Sequence, residues 1–232
     1  MKTVLITGAN RGIGLEFTKQ LLEKGERVYA CCRRPNSAVA LKELAARHIN
    51  SMRTVELDVQ RDADIQQVAQ QIQHEHSALD MLINNAGVMP DHRSLDQIPR
   101  NELQHTLDVN TVSPLMMVQS CLKILASAPS PIVLNISSQR GAFGLRQPTN
   151  RYAYCTSKAA LNMVTKILAE DLQEIGGIVL AIHPGWVQTD MGGPNGDLTP
   201  EVSVREMLAF LDTVTPAHNG GFYRWDGKEH VW

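Results

Sequence analysis

The sequence predicts one α/β domain with a doubly wound, mostly parallel sheet of six or seven strands and helices on both faces. The first observation is a regular alternation of short apolar runs with longer helical patterns. The second is that the short runs are apolar throughout, which is typical of parallel strands covered on both faces. The third is the length of 232 residues, which fits one hydrophobic core.

The elements follow in order along the chain. Six strands are predicted at residues 3–7, 27–32, 52–57, 81–84, 132–137 and 178–183. Between them, apolar residues at three- and four-residue intervals predict helices at 15–24, 39–48, 62–76, 100–128 and 152–174. Glycines and prolines in 191–200 indicate a plain loop or a mobile lid. One more helix follows, and the tail 222–232 predicts a hairpin about Asp226-Gly227 that covers a sheet edge.

The composition is that of an ordinary globular protein, with 43% hydrophobic and 20% charged residues and a net charge of -2. It excludes a disordered chain, and the dispersed Lys and Arg residues predict no binding to nucleic acid or to a membrane surface. Four cysteines without a C-x-x-C spacing predict neither structural disulfides nor a metal site. Apolar runs are too short for a signal peptide or a membrane span, so a cytosolic protein is expected.

A glycine-rich turn follows the first predicted strand and leads directly into a helix, with the sequence Thr7-Gly8-Ala9-Asn10-Arg11-Gly12-Ile13-Gly14. Glycines at these positions allow a tight turn and let backbone amides approach a pyrophosphate, whose charge the helix N-terminus favours. Because the turn lies between a strand and a helix of the first βαβ unit, it predicts a dinucleotide-binding site.

This turn and five later blocks together resemble the short-chain dehydrogenase/reductase superfamily. The blocks are Asn84-Asn85-Ala86-Gly87, Asn110, Ser137-Ser138, the Tyr-x-x-x-Lys pair Tyr154 and Lys158, and Pro184-Gly185. The resemblance implies a single Rossmann domain over 1–232, mainly cofactor-binding in 1–87 and catalytic and substrate-binding in 88–232. Residues 183–193 and Trp232 resemble more narrowly the C-factor and sniffer-like branch of carbonyl reductases.

The end of the second strand bears on the choice of cofactor. An acidic residue there would bond the ribose of NAD, but the sequence has Arg33, whose planar guanidinium suits a 2′-phosphate. Arg11 offers a second cation, so NADP(H) is favoured over NAD(H); alternatively, Arg33 and Arg34 are solvated loop charges. Asp58 and Val59 resemble the family's adenine-binding pair, although Asp58 is equally suited to cap the next helix. The cofactor contacts that the resemblance implies are Gly8, Asn10, Arg11, Gly12, Ile13, Gly14, Arg33, Asp58, Val59, Asn85, Ala86, Gly87, Tyr154, Lys158, Pro184, Gly185, Val187 and Thr189.

The catalytic chemistry is assigned to Tyr154 and Lys158, which share one helix face. A nearby ammonium favours the phenolate, so the tyrosine can work as an acid or a base. By the resemblance, Ser138 holds the carbonyl oxygen and Asn110 keeps a water that links the lysine to solvent. Taken singly, each of the four residues has a structural alternative. Tyr154 is equally a surface aromatic, Lys158 a solvated helix charge, Ser138 a turn-forming hydroxyl and Asn110 a helix-end amide.

The segment between Ser138 and Tyr154 is a few residues longer than the commonest family spacing. Phe143, Trp186 and Met191, together with Ser138 and Leu145, are therefore candidate walls of a substrate pocket. For Phe143 and Leu145 a place in the core is equally well supported. Cys155, beside the motif tyrosine, is expected to be small buried filler.

The function that these observations favour is NADPH-dependent reduction of an aldehyde, ketone or quinone, with Tyr154 as proton donor. The alternative is an NADP(H)-binding signalling protein of the C-factor type, in which catalysis is secondary. By resemblance, the helical segments 100–128 and 152–174 predict a homodimer or homotetramer.

Overall fold

Seven strands form one fully parallel sheet in the order β3-β2-β1-β4-β5-β6-β7. The computed structural model describes residues 1–145 and 150–232. The strands are β1 (Thr3–Thr7), β2 (Arg27–Cys32), β3 (Met52–Glu56), β4 (Met81–Asn84), β5 (Ile132–Ile136), β6 (Ile178–His183) and β7 (Phe222–Arg224). All six predicted strands are present, and the predicted doubly wound α/β class is confirmed.

Helices cover both faces of the sheet. They are α1 (Gly12–Glu23), α2 (Val39–Arg47), α3 (Asp62–Glu75), α4 (Arg100–Leu107), α5 (Ser113–Leu125), α6 (Tyr152–Asp171) and α7 (Pro200–Leu211). Neighbouring strand residues point to opposite faces. In β1, Val4 and Ile6 belong to the core under α1, α2 and α7, whereas Leu5 belongs to the core under α3, α5 and α6. This two-sided burial explains the apolar runs of the sequence.

The predicted helix 100–128 is two helices, α4 and α5, joined by a π-helical segment at Asp108–Val112. A cause lies in Pro114, which has no N–H to donate to the carbonyl of Asn110 four residues earlier. The prediction of one continuous helix was wrong, and the irregular turn falls on a residue predicted to be catalytic.

The tail forms the predicted hairpin. Its turn is closed by the N–H of Gly227, which donates to the carbonyl of Arg224 over 3.0 Å, and its limbs are joined by an antiparallel bridge between Tyr223 and Glu229. The first limb is also β7, which pairs in parallel with β6 and extends the sheet by a seventh strand. The crossover through α7 makes the parallel pairing possible. No helix within 1–145 and 150–232 is long and apolar enough to cross a membrane.

The strand order reverses between β1 and β4. The chain runs outward through β2 and β3 and then returns to β4 on the other side of β1. The connections that leave β1 and β4 therefore run to opposite faces of the sheet and leave a crevice at the carboxyl ends of these strands, where open α/β sheets bind ligands.

Candidate active site and nucleotide cleft

A cleft of about 220 Å³ lies at this crevice. It brings together most of the residues predicted to contact a cofactor, which come from the segments after β1, β2, β3, β4 and β6 and from α6. Those lining it are Gly8, Asn10, Arg11, Gly12, Ile13, Arg33, Asp58, Val59, Asn85, Ala86, Gly87, Tyr154, Lys158, Pro184 and Thr189. Gly14, Gly185 and Val187 do not line it.

The glycine turn is fixed to the end of β4. The Thr7 hydroxyl accepts the backbone N–H groups of Asn85 and Ala86, both over 3.0 Å, and the Asn85 amide donates to the carbonyls of Thr7 and Gly8. Gly8 has φ +65°, which favours glycine. A Cβ on Gly14 would lie 2.3 Å from the Gly8 carbonyl oxygen, so Gly14 allows α1 to pack against the turn. Its contribution is therefore close packing rather than a direct contact with the cleft.

The adenosine end of the predicted site contains Arg33 and Asp58. Arg33 lines the cleft beside Cys32, and the end of β2 carries no acidic side chain. The Asp58 carboxylate accepts the N–H of Gln60 over 3.1 Å, whereas α3 begins after Arg61 without a side-chain cap. The helix-cap alternative for Asp58 is therefore wrong. Arg11 forms an ion pair with Asp190 across the cleft, with Nη1 and Oδ2 2.7 Å apart.

Lys158 is buried in the first half of α6. Its Nζ donates to the carbonyl oxygen of Ile136, at the end of β5, over 2.7 Å, and lies 5.9 Å from the ring centroid of Tyr154. Only 5% of the residue is exposed. Burial disfavours the ammonium and lowers the pKa of Lys158 to about 8. The lysine is thus charged at pH 7 but close to losing its proton.

Tyr154 is buried one turn earlier on α6, with the Ser138 side chain beside its phenol. Burial raises the pKa of the Tyr154 phenol, while the Ser138 hydroxyl and the charges of Arg151 and Arg140 act in the opposite direction. The phenol is therefore protonated at neutral pH. The solvated-charge and surface-aromatic alternatives for Lys158 and Tyr154 are wrong, because both side chains are buried and meet in one place.

The loop that carries Ser138 packs closely on α6. The N–H of Arg140 donates to the Ser138 hydroxyl oxygen over 3.1 Å. A Cβ on Gly141 would lie 2.6 Å from the backbone carbon of Lys158, so this glycine permits the contact. The short segment after β5 thereby keeps Ser138 next to Tyr154.

The Asn110 side chain makes three hydrogen bonds to neighbouring groups. Its oxygen accepts the N–H of Val88 over 2.8 Å, and its amide donates to the Val88 carbonyl over 2.8 Å and to Ser157 over 2.9 Å. It ties the segment after β4 to α6. The group of Asn110 that lacks an α-helical donor is its backbone carbonyl, because of Pro114.

A second chain of buried amides lies below this contact. Asn84 donates to Asn135 over 2.9 Å, and Asn135 donates to Thr165 over 2.9 Å, so β4, β5 and α6 are cross-linked. The Asn84 side-chain oxygen has no partner among the described residues, whereas the paired donors and acceptors of the chain fix the relative positions of the elements. The helix that carries Tyr154 and Lys158 is therefore held against two strand ends.

The predicted substrate walls are largely exposed. Phe143 is 84% exposed, Trp186 49%, Leu145 46% and Met191 41%, and of these Met191 lines the cleft. The core alternative for Phe143 and Leu145 is wrong. Cys155 is only partly buried, so the prediction of buried filler was wrong as well; it lies about 100° around the helix from Tyr154.

Sequence reasoning missed several lining residues. They are Cys32, Leu57, Gln60, Val88, Val109, Ile136, Ser137 and Asp190. Most end a strand or stand next to a motif residue, and that adjacency is the one signal that could have found them. Within the described parts of the chain, no group of three or more His, Cys, Asp and Glu side chains could hold a metal ion.

Comparisons with known proteins agree with this architecture. A model of the short chain dehydrogenase family matches residues 2–198. The carbonyl reductase Sniffer of D. melanogaster is 33% identical and superposes with a TM-score of 0.96 over 100% of both chains. The NADPH-bound carbonyl reductase from chicken fatty liver is 36% identical, with a TM-score of 0.95 over 100% of this chain and 94% of that chain. The C-signal protein of Myxococcus xanthus is 37% identical over 66% of this chain and 93% of its own length. The chain therefore belongs to the short-chain dehydrogenase family of oxidoreductases.

Proposed function

We propose that this protein reduces the carbonyl group of an aldehyde, ketone or quinone to an alcohol, using NADPH. The proposal rests on a buried lysine and a buried tyrosine that line one end of a cleft built on a glycine turn, with the Ser138 hydroxyl beside the tyrosine although Ser138 itself does not line the cleft. Such a set can hold a carbonyl oxygen and deliver a proton to it.

The cleft fits a dinucleotide. Gly8 and Gly12 have positive φ values, so the backbone is open to a pyrophosphate at the start of α1. Arg33 stands where an acidic residue would favour NAD, and it would bind the 2′-phosphate of NADP. Pro184 and Thr189 would hold the nicotinamide end, and Asp58 and Val59 the adenine. The NADPH bound by the chicken relative supports the same cofactor here.

The residues of this chain would act on the carbonyl oxygen. When bound, the cofactor supplies the hydride. Ser138 would donate a hydrogen bond to the oxygen, and Tyr154, protonated at neutral pH, would transfer its proton there. Lys158 is charged at pH 7, so its ammonium stabilises the tyrosinate that this transfer leaves behind. The backbone carbonyl of Asn110 would hold a water through which the proton is replaced.

An apolar substrate is favoured by the side chains on the loops after β5 and β6. Met191 lines the cleft, and Phe143 and Trp186 on these loops are exposed and would form the entrance. A hydrophobic aldehyde, ketone or quinone would cover this surface.

Tyr154→Phe tests the mechanism. Tyr152→Phe is the matched control, because Tyr152 is exposed on the same helix, about 200° around its axis from Tyr154. Loss of the general acid is expected to lower kcat by about 10²–10⁴-fold, while NADPH still binds with its original Kd. Tyr152→Phe is expected to retain full turnover. Full activity in Tyr154→Phe would refute the proposed role of the phenol.

A second candidate, nucleotide-dependent signalling, is favoured by the similarity to the C-signal protein. In that case the bound nucleotide, rather than turnover, controls a partner. Tyr154→Phe would then keep the cellular phenotype while Gly14→Asp, which disrupts the glycine turn, would abolish it. Loss of the phenotype in both variants would favour the enzyme.

We also propose a homo-oligomer formed through α5 and α6. Leu122 on α5 is 46% exposed, and Met163 and Ile167, which share one face of α6, are 62% and 51% exposed, so these helices present apolar surface that a second copy would cover. Sedimentation velocity of Met163→Glu is expected to show a smaller species than the wild-type protein. An unchanged sedimentation coefficient would exclude this face as the interface.

A further inference from the structure

An ion pair spans the nucleotide cleft between two loops that belong to different halves of the chain. Arg11 precedes α1 in the glycine turn, and Asp190 lies in the loop after β6; their Nη1 and Oδ2 atoms are 2.7 Å apart. Both residues line the cleft. The same two loops also approach at Gly12, where a Cβ would lie 3.2 Å from Thr189. The pair therefore joins the two walls between which a dinucleotide would lie.

This ion pair is weak enough to exchange. The side chains of Arg11 and Asp190 are 67% and 75% exposed, so water screens their attraction. Within residues 1–145 and 150–232, neither side chain has another charged or hydrogen-bonding partner. A phosphate offers the guanidinium more charge and more acceptor oxygens than one exposed carboxylate does. A dinucleotide in the cleft would therefore compete with Asp190 for Arg11.

We propose that Asp190 occupies Arg11 in the cofactor-free protein and yields it to a phosphate of the dinucleotide on binding. This inference rests on the proposed function, since it requires NADP(H) to bind in this cleft. Asp190 then lowers cofactor affinity, because part of the binding energy is used to separate the pair.

The test is equilibrium binding of NADPH and NADH to the Asp190→Asn protein, followed by fluorescence at low salt. Removal of the competing carboxylate is expected to tighten NADPH binding by about two- to fivefold, the range of an exposed ion pair. At about 1 M salt, where the Debye length is roughly 3 Å, the difference is expected to disappear.

Asp212→Asn is the matched control. It breaks another exposed ion pair, Lys24–Asp212, whose Nζ and Oδ2 atoms are 2.6 Å apart and which lies outside the cleft. This variant removes the same charge and is expected to leave both dissociation constants unchanged. An equal gain in the two variants would show a general effect of net charge and would overturn the proposal.

The Arg11→Gln variant distinguishes competition for the Arg11 guanidinium from direct repulsion between Asp190 and the phosphates. In that background Asp190→Asn is expected to have no effect, because the competition needs the guanidinium. A gain that persists there, or weaker NADPH binding in Asp190→Asn alone, would overturn the proposal. Tighter binding of NADPH alone assigns Arg11 to the 2′-phosphate, and an equal gain for NADH assigns it to the pyrophosphate. Failure of the wild-type protein to bind NADPH would instead refute the proposed function, so the two failures are distinguishable.

Discussion

Replacement of Lys158 by methionine is expected to stabilise the cofactor-free protein while abolishing its activity. Burial shifts the pKa of Lys158 from 10.5 to about 8. At pH 7 the folded protein therefore carries a penalty of about 3 kcal/mol for the buried ammonium. The variant loses the hydrogen bond to the Ile136 carbonyl, worth about 1 kcal/mol. The net gain in unfolding free energy is about 2 kcal/mol, or about 4–8 °C in Tm for a chain of this size.

The difference in stability between Lys158→Met and the wild-type protein depends on pH. Between pH 8 and 10.5 the unfolded chain binds more protons at Lys158 than the folded protein does, so the wild-type free energy of unfolding rises with pH in this window. The advantage of Lys158→Met is constant below the folded-state pKa and shrinks by about 2 kcal/mol towards pH 10. Replacement of an exposed lysine, which carries no burial penalty, is the reference for this change.

Urea unfolding at pH 7 and at about pH 10 measures both effects, with Lys123→Met as the control for an exposed lysine on α5. The control is expected to change stability by less than about 0.5 kcal/mol at either pH. A Lys158→Met protein that is less stable than the wild type at pH 7, or a difference that does not shrink at pH 10, would refute the reasoning. Burial of the Lys158 ammonium would then not lower the free energy of unfolding.

Three further predictions concern the glycine turn, the adenosine end and the buried amides. Arg33→Asp is expected to weaken NADPH binding by at least about tenfold and to leave NADH binding intact or improved, because a charge-assisted hydrogen bond is lost; unchanged NADPH affinity in a titration would contradict this. Gly14→Ala is expected to lose nucleotide binding and thermal stability, since its Cβ would lie 2.3 Å from the Gly8 oxygen. Gly25→Ala, whose Cβ would have no atom within 4 Å, is expected to keep NADPH binding. Asn135→Leu is expected to lower unfolding free energy by about 2–4 kcal/mol in urea titrations, because buried partners lose their hydrogen bonds; a smaller loss would show that the amide chain is not needed.

Much of the fold could be predicted because the periodicity of the chain reflects burial directly. Strand β1 is apolar at its three central positions because Val4 and Leu5 point into different cores. The tail was harder to predict. Its turn at Gly227 has a local signal, but its pairing with β6 depends on the crossover through α7, and no local pattern reports the direction of a distant neighbour.

The candidate site was predictable where a residue type is fixed by chemistry, as for Tyr154 and Lys158. It was not predictable where the contribution is geometric. The hydrogen bonds of the Asn110 side chain are made from the π-helical segment before α5. The ion pair between Asp190 and Arg11 joins residues 179 positions apart. Such contacts depend on how loops from different strands meet at one sheet edge.

The proposed activity itself is tested most directly by the transfer of deuterium. The wild-type protein is incubated with NADPH deuterated at the transferred C4 position and with a panel of apolar aldehydes, ketones and quinones, and the products are analysed by mass spectrometry. We expect an alcohol with one deuterium on the former carbonyl carbon, formed at least about 100-fold more slowly by Tyr154→Phe. For a quinone, where the hydride can exchange after transfer, loss of NADPH absorbance is the readout. Tight NADPH binding without deuterium transfer to any member of the panel would contradict the proposed activity.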